Sequence, residues 1–360
     1  MTEIKVNLKE SPYSVYLLKE NFSQNFKKII SKLDLPSRVL VVTNKKIASL
    51  FLNKVLDPLR GRKIKVFFVP DSEKAKSFYY FIKLTQEAVN FDRLGDLFFT
   101  ALGGGVIGDL VGFSASVYRR GVPYIQIPTT LLAQVDSSIG GKTGIDLESA
   151  KNMVGSFYQP KAVISYLGFL ETLSMKEIIN GGAEIVKYGV IKSKELFYYL
   201  RDNLERFLKL NRKVLFKIIY ECINIKKKII ELDEKETKGI RTILNFGHTI
   251  GHAIESATFY KKYSHGEAIS IGMVLATQIA LKMGICKEKV YWEVKTILEK
   301  MGLPTKIKKI PPSLLIQSLL KDKKFKRGRI RMVLPLKIGK AKVFEDVDLS
   351  LIKEVIQRGS

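Results

Sequence analysis

Three histidines are all that this 360-residue chain contains, and they fall within eighteen positions, at His248, His252 and His265. His248 and His252 are four apart in "LNFGHTIGHAIES", a segment that reads as helix, so both project from one face. Such a pair can hold a divalent cation, and neutral imidazole suits zinc. His265, in the loop "YKKYSHGEA", can add another ligand. A catalytic zinc commonly takes three protein ligands and leaves one position for substrate, so a carboxylate from Glu184, Glu255 or Glu267 can complete the set. Spacing alone neither chooses among these acids nor decides whether His252 binds the cation or faces a substrate. Core packing does not call for such clustering in a chain otherwise devoid of histidine.

A second chemistry is suggested by "DLFFTALGGGVIGDLVGF", where glycines at 103, 104, 105 and 108 follow a strand-like run and open an apolar helix. Glycine lets backbone amides approach a pyrophosphate, and the helix N-terminus adds partial positive charge. The GxGxxG match is Gly103, Gly105 and Gly108, yet at least two strands precede it and no acid stands about twenty residues beyond to hold a ribose. Dinucleotide binding in a variant geometry is the expectation. The stretch "IPTTLLAQVDSSIGGKTGIDLESAKNMVGSFYQP" then gathers Thr129, Thr130, Asp136, Ser137, Ser138, Lys142, Lys151 and Asn152 among glycines. These groups make a poor core but a good wall for phosphate and sugar oxygens.

The elements that must position these groups change character near residue 170. Before it, the apolar runs 38–43, 63–69, 96–102, 124–129 and 162–165 alternate with helical stretches such as "KAKSFYYFIKLTQEAVNF". That alternation predicts a mostly parallel sheet covered by helices. After "FLETLS", where Thr172 or Ser174 can cap a helix, come "ELFYYLRDNLERFLKL" and "RKVLFKIIYECINIKKKIIEL", each with helical periodicity. Strand signal returns only in "RIRMVLPL" and "KAKVFED". The expected division is an α/β domain over 1–172 and a mainly α-helical domain over 173–360, with the ligand site in the cleft between them.

Bulk composition excludes several classes. The charged N-terminus "MTEIKVNLKE" is no signal peptide, and "AISIGMVLATQIALKMG" is too short to span a bilayer, so a cytoplasmic protein without membrane contact is expected. Two distant cysteines, Cys222 and Cys286, form neither a disulfide framework nor a thiolate metal site. The net charge of +26 comes from cations spread along the chain without aromatic interleaving, which describes a lysine-rich surface rather than a nucleic-acid interface. A small anionic substrate accounts for a local part of it.

Taken together and in order, "GGGVIGDLVGF", "IPTTLLAQVDSSIGGKTGID", "KNMVGSFYQP", "GGAEIVKYG", "RTILNFGHTIGHAIE", "HGEAISIGM" and the late "DKK" before "GRIRMVLPLKIG" resemble the 3-dehydroquinate synthase family. The resemblance implies a Rossmann-like N-terminal domain, a helical C-terminal domain, bound NAD, and one divalent metal, zinc or cobalt, on Glu184, His248 and His265. It implies nucleotide contacts from Asp71, Glu73, Lys76, Gly104, Gly105, Val106, Asp109, Thr129, Thr130, Lys142, Lys151 and Thr172. The "DSEKAK" segment departs from the commoner glycine-containing form of its loop. Substrate contacts map to Asp136, Lys142, Asn152, Lys187, Lys227, Arg241, Asn245, His252 and either Lys323 or Lys324. Arg120 matches an arginine that reaches the neighbouring site of a homodimer.

The implied reaction takes a sugar phosphate, 3-deoxy-D-arabino-heptulosonate 7-phosphate, through transient oxidation at C5, phosphate elimination, re-reduction, ring opening and aldol closure to 3-dehydroquinate. The rival within this resemblance is another NAD- and metal-dependent cyclase, such as 2-deoxy-scyllo-inosose synthase, whose substrate has no carboxylate. Arg241 and Asn245 favour a carboxylate-bearing substrate.

Overall fold

The computed structural model describes residues 1–147, 150–308, 310–320, 325–326 and 329–358. They form two compact units, one of Met1–Leu173 with Leu215–Lys235, the other of Ser174–Val214 with Glu236–Ser360. The segment Leu215–Lys235 therefore groups with the first unit, whereas the single boundary drawn in sequence assigned it to the second.

The first unit is built on β1 (Thr2–Val6), β2 (Tyr13–Leu18), β3 (Arg38–Thr43), β4 (Lys63–Phe68), β5 (Leu97–Gly103), β6 (Tyr124–Pro128), a hairpin of β7 (Lys142–Leu147) with β8 (Ala150–Phe157), and β9 (Ala162–Tyr166). Seven strands form one sheet in the order β1-β2-β9-β6-β5-β3-β4. Every neighbouring pair in it is parallel except β1 with β2. Continuous apolar runs such as "VLVV" and "LFF" are buried throughout, as a sheet covered on both faces requires. Helices α1 (Phe22–Ile30) and α2 (Lys45–Leu56) contribute Phe22, Phe26 and Phe51 to a core with Phe98 and Phe169. Helices α3 (Phe78–Phe91) and α4 (Gly105–Val117) contribute Leu84 and Leu110 to a second core with Phe99 and Tyr124.

Strand order carries the functional information. The chain places β4 outside β3, then returns to lay β5 on the other side of β3. At such a reversal a crevice opens outside the carboxyl ends of the strands. The residues that follow those ends here are Asn44 after β3 and Gly104–Gly105 after β5.

The second unit contains α5 (Met175–Lys192), α6 (Lys194–Asp202) and α7 (Leu204–Leu208). After α8 (Arg212–Leu232), most of which lies in the first unit, it continues with α9 (His248–Ala257), α10 (His265–Lys282), α11 (Glu288–Lys300), α12 (Pro312–Leu320) and α13 (Leu349–Arg358). A three-stranded antiparallel sheet joins β10 (Phe325–Lys326), β11 (Arg329–Lys337) and β12 (Lys340–Asp348). Ser174 starts α5 through a reciprocal capping box with Glu177. The run expected as one helix over 195–210 is broken at Asn203, whose φ of −119° and ψ of 21° leave the helical region.

Small residues let α10 approach α5 and the chain before α9. A Cβ on Gly272 of α10 would lie 2.0 Å from the Gly247 carbonyl oxygen before α9, and one on Gly266 would lie 2.3 Å from the Asn180 carbonyl oxygen of α5. Cys222 and Cys286 are buried free thiols. No helix among the described residues is long and apolar enough to cross a membrane.

Candidate active site

Helices α5, α9 and α10 each bring one donor to a common point. Glu184 stands in α5 with 1% of its surface exposed, and its Oε1 lies 3.4 Å from His248 Nε2 and 3.3 Å from His265 Nε2. The three donor atoms lie within 4.8 Å of one another, a set able to hold a cation. His248 opens α9 after Gly247, whose φ of 79° turns the chain into the helix. Its Nδ1 lies 3.1 Å from the Phe246 carbonyl oxygen, so Nδ1 carries the proton and Nε2 keeps its lone pair toward Glu184.

His265 Nδ1 lies 3.4 Å from Glu255 Oε1. Glu255, one of the acids left open in sequence, thus stands behind a histidine rather than beside Glu184. Burial drives the His248 imidazole well below its ordinary pKa. For His265, hydrogen bonds with Glu184 and Glu255 outweigh burial and push the pKa up to about 10. Without a cation this cluster retains a proton; a divalent ion replaces it.

Other expected groups of the second unit surround this point. Lys187, one turn along α5, is buried and its ammonium pairs closely with Glu184 Oε2. His252, one turn along α9, is exposed, with its ring 5.2 Å from that of His248 and edge-on to it. Arg241, 2% exposed, and Asn245 mark the ends of a 3₁₀ turn, Arg241–Asn245, that leads through Phe246 and Gly247 into α9.

In the first unit the expected nucleotide residues gather at the carboxyl end of the sheet. Gly104 caps α4, and Cβ atoms on Gly104 and Gly105 would stand 3.1 Å from Thr130 Cγ2 and 2.8 Å from Ser137 Oγ. Val106 belongs to the first turn of α4. Thr129, directly after β6, donates its N–H to the Gly103 carbonyl, and Thr130 Oγ1 accepts from the Ala133 N–H. The next turn, Ala133–Ser137, is π-helical and carries Asp136. A π-turn is often found at functional sites. Ser137 Oγ is buried without a hydrogen-bond partner. Thr172 ends a 3₁₀ turn and donates to the Phe169 carbonyl.

The "DSEKAK" loop joins the same region through charges. Asp71 accepts from Asn44 Nδ2 at 2.8 Å, and Glu73 pairs with Lys151 at 3.3 Å. Buried Lys76 bonds Asp109 Oδ2 at 2.6 Å and makes a short contact with Asn152 Oδ1. The Asp109 carboxylate outweighs burial and holds the Lys76 ammonium above its ordinary pKa. Asn152 has φ of 57° and donates its backbone N–H to Asp146, a residue not singled out in sequence. Lys142 is exposed at the start of β7. Arg120 is exposed where α4 ends.

Two neighbouring lysines of α8 have different partners. On α8 it is Lys226, not Lys227, that approaches Asp136, with Nζ 2.9 Å from Oδ1 and 2.8 Å from the backbone oxygen. Lys227 points along the helix to Glu231 at 3.8 Å. The sequence signal is three consecutive lysines, and only helical phase separates them. Lys323 and Lys324 lie outside the described residues.

Residues 66–180 match the 3-dehydroquinate synthase N-terminal profile and residues 181–325 the 3-dehydroquinate synthase C-terminal profile. The chain belongs to the 3-dehydroquinate synthase family. It is an enzyme with that family's activity, a carbon–oxygen lyase that forms 3-dehydroquinate. It is 39% identical over 359 residues to 3-dehydroquinate synthase of Thermodesulfovibrio yellowstonii, covering 99% of each chain. The match to the Pseudoalteromonas translucida enzyme of that name is 40% over 359 residues, covering 99% of this chain and all of the other.

Among solved structures, a 2-deoxy-scyllo-inosose synthase complexed with carbaglucose-6-phosphate, NAD+ and Co2+ aligns over the whole of both chains with TM-score 0.89 and 25% identity. A 2-epi-5-epi-valiolone synthase from Streptomyces hygroscopicus subsp. jinggangensis, with NAD+ and Zn2+ bound, aligns over 98% of each chain with TM-score 0.87 and 27% identity. An iron-containing alcohol dehydrogenase of Thermotoga maritima shares the fold at 16% identity, TM-score 0.68, over 98% of this chain and 99% of the other.

Proposed function

We propose that this chain converts 3-deoxy-D-arabino-heptulosonate 7-phosphate to 3-dehydroquinate and phosphate, with NAD and one divalent cation, zinc or cobalt, as cofactors. The observation that carries this reading is the buried convergence of Glu184, His248 and His265. Two imidazole nitrogens and one carboxylate oxygen suit such a cation, and the backbone contact at His248 Nδ1 fixes the tautomer that can bind it. The crevice after β5 suits a dinucleotide, because Gly104 and Gly105 present only backbone at the start of α4 and Ser137 offers a buried hydroxyl without a partner. When bound, the nucleotide supplies a reversible hydride acceptor for C5 and the cation a Lewis acid for a substrate hydroxyl.

The chain's own groups divide the remaining work. Asp71, Glu73, Lys76, Asp109, Lys151 and Thr172 hold the nucleotide, together with Gly104, Gly105, Val106, Thr129 and Thr130, and Lys142 borders it. Arg241 binds the substrate carboxylate through its planar fork, with Asn245 beside it. Lys142, Asn152 and His252 neutralise the phosphate end, where negative charge grows as the leaving group departs, and Arg120 binds the phosphate alike before and during departure. Asp136, Lys187 and Lys227 orient hydroxyls, and Lys226, whose ammonium lies against Asp136, holds that carboxylate in place. Lys323 or Lys324 adds a further cation to the substrate. Ring opening and aldol closure then need a held conformation more than further acids or bases.

The active form is a cytoplasmic homodimer in which Arg120 serves the partner's site. Exposed Phe78, Tyr79 and Ile82 on α3, and Leu147, Met153 and Phe157 on the hairpin packed against it, support this by offering an apolar face.

The test is release of phosphate from the heptulosonate phosphate. Release should need NAD and stop with a chelator, while absorbance of reduced nucleotide stays flat. Steady accumulation of reduced nucleotide would mark a dehydrogenase, and release from a hexose 6-phosphate lacking a carboxylate would move the assignment to the inosose-forming enzymes.

A further inference from the structure

The corner after α4 is strained. Arg119, Arg120 and Gly121 have φ of 48°, 63° and 125°, so two consecutive residues bearing a Cβ adopt the left-handed region. Such conformations persist only where their surroundings enforce them, and they gather at functional sites. Two clamps enforce this one. Asp92, directly after α3, has a side chain 2% exposed, and its Oδ2 accepts from the Tyr118 hydroxyl at 2.9 Å and from Arg119 Nε at 2.7 Å. On the other flank the Tyr158 hydroxyl donates to the Val122 carbonyl at 2.9 Å, and its oxygen would lie 3.2 Å from a Cβ on Gly121.

Burial alone would raise the Asp92 pKa, but hydrogen bonds from Tyr118 and Arg119 hold it below the ordinary value. The carboxylate is therefore a fixed anion, and it consumes the first of two adjacent arginines. Arg119 is drawn onto Asp92 while its neighbour Arg120 stays exposed in an enforced backbone conformation. A relaxed helix end would let both side chains sample many directions, at an entropic cost to any anion that had to gather one of them.

We infer that Asp92 is a positioning residue for Arg120: by binding Tyr118 and Arg119 it locks the left-handed corner that presents the Arg120 guanidinium to the phosphate of the substrate. This rests on the reading of Arg120 as a phosphate-binding residue at the partner's site.

Steady-state kinetics of Asp92→Asn, Arg120→Ala and the double variant test it, with nucleotide and zinc affinities measured alongside. Asp92→Asn should raise KM for the heptulosonate phosphate by about tenfold with kcat, nucleotide affinity and zinc affinity near wild type. The double variant should be no worse than Arg120→Ala alone, since both changes remove one interaction. Tyr118→Phe and Arg119→Gln, each deleting one arm of the clamp, should show smaller rises of the same kind, and they carry the test if Asp92→Asn fails to fold. Full additivity in the double variant, or equal losses in nucleotide and zinc affinity, would overturn the inference, because a merely structural residue behaves so. An impaired Arg120→Ala beside unaffected clamp variants would also overturn it while leaving the phosphate role of Arg120 intact. An Arg120→Ala enzyme with unchanged KM would remove that role and the inference with it.

Discussion

One step of helical phase gives two neighbouring lysines different partners. Lys226→Ala should lower kcat/KM by about a hundredfold, since a fixed cation beside Asp136 is lost. Lys227→Ala, which removes a proposed hydroxyl contact, should lower kcat/KM by about tenfold or more in the same assay, and a change within about twofold would take Lys227 out of the site. Which acid each lysine meets was not legible in "IKKKII", whereas the histidines stood out because the chain has so few. Glu255 was visible as an acid near the cluster, but its role depends on which His265 nitrogen it meets. The raised pKa of His265 has a definite sign. In the cation-free protein its imidazolium is retained up to about pH 10, so a metal must displace a proton throughout the neutral range. Zinc affinity measured by chelator competition should therefore rise about tenfold per unit between about pH 7 and 9. Glu255→Gln should weaken zinc binding by about tenfold, as loss of a ligand's supporting carboxylate does.

At the level of elements, the glycines in α10 set how closely it meets its neighbours. Gly272→Ala would drive a methyl group into the Gly247 carbonyl, and the enforced separation of α9 from α10 should cost about 1–3 kcal/mol. Calorimetry should show a lower unfolding temperature, and zinc should bind more weakly because His248 and His265 part. The parallel strands were readable because a sheet covered on both faces needs continuous apolar runs, as in β3 and β5. β1 was not, since "TEIKV" alternates charged with apolar residues over only five positions. The β7–β8 hairpin read as a polar ligand wall because its glycines and hydroxyls hide any strand pattern. Asn203 broke a run that periodicity alone continued, a local conformation that no spacing rule records.

Across the whole molecule, the charge of +26 acts on encounter rather than on the fold. A substrate carrying both a carboxylate and a phosphate should be drawn in by that field, so kcat/KM should fall severalfold between about 0.02 M and 0.3 M salt while kcat changes little. A salt-independent kcat/KM, measured by stopped-time phosphate assay, would mean that the lysines serve something else. The largest departure from the linear reading is the membership of Leu215–Lys235 in the first unit. Its ties are specific: Lys226 to Asp136, Glu231 to the Asn7 N–H, Glu234 to Gln159, and Lys19 over the Phe216 ring. A nascent polypeptide emerging from the ribosome thus cannot finish its amino-terminal half when that half has been translated. It must wait until some sixty further codons have been read, and arrest before that point should leave the early product open to proteolysis.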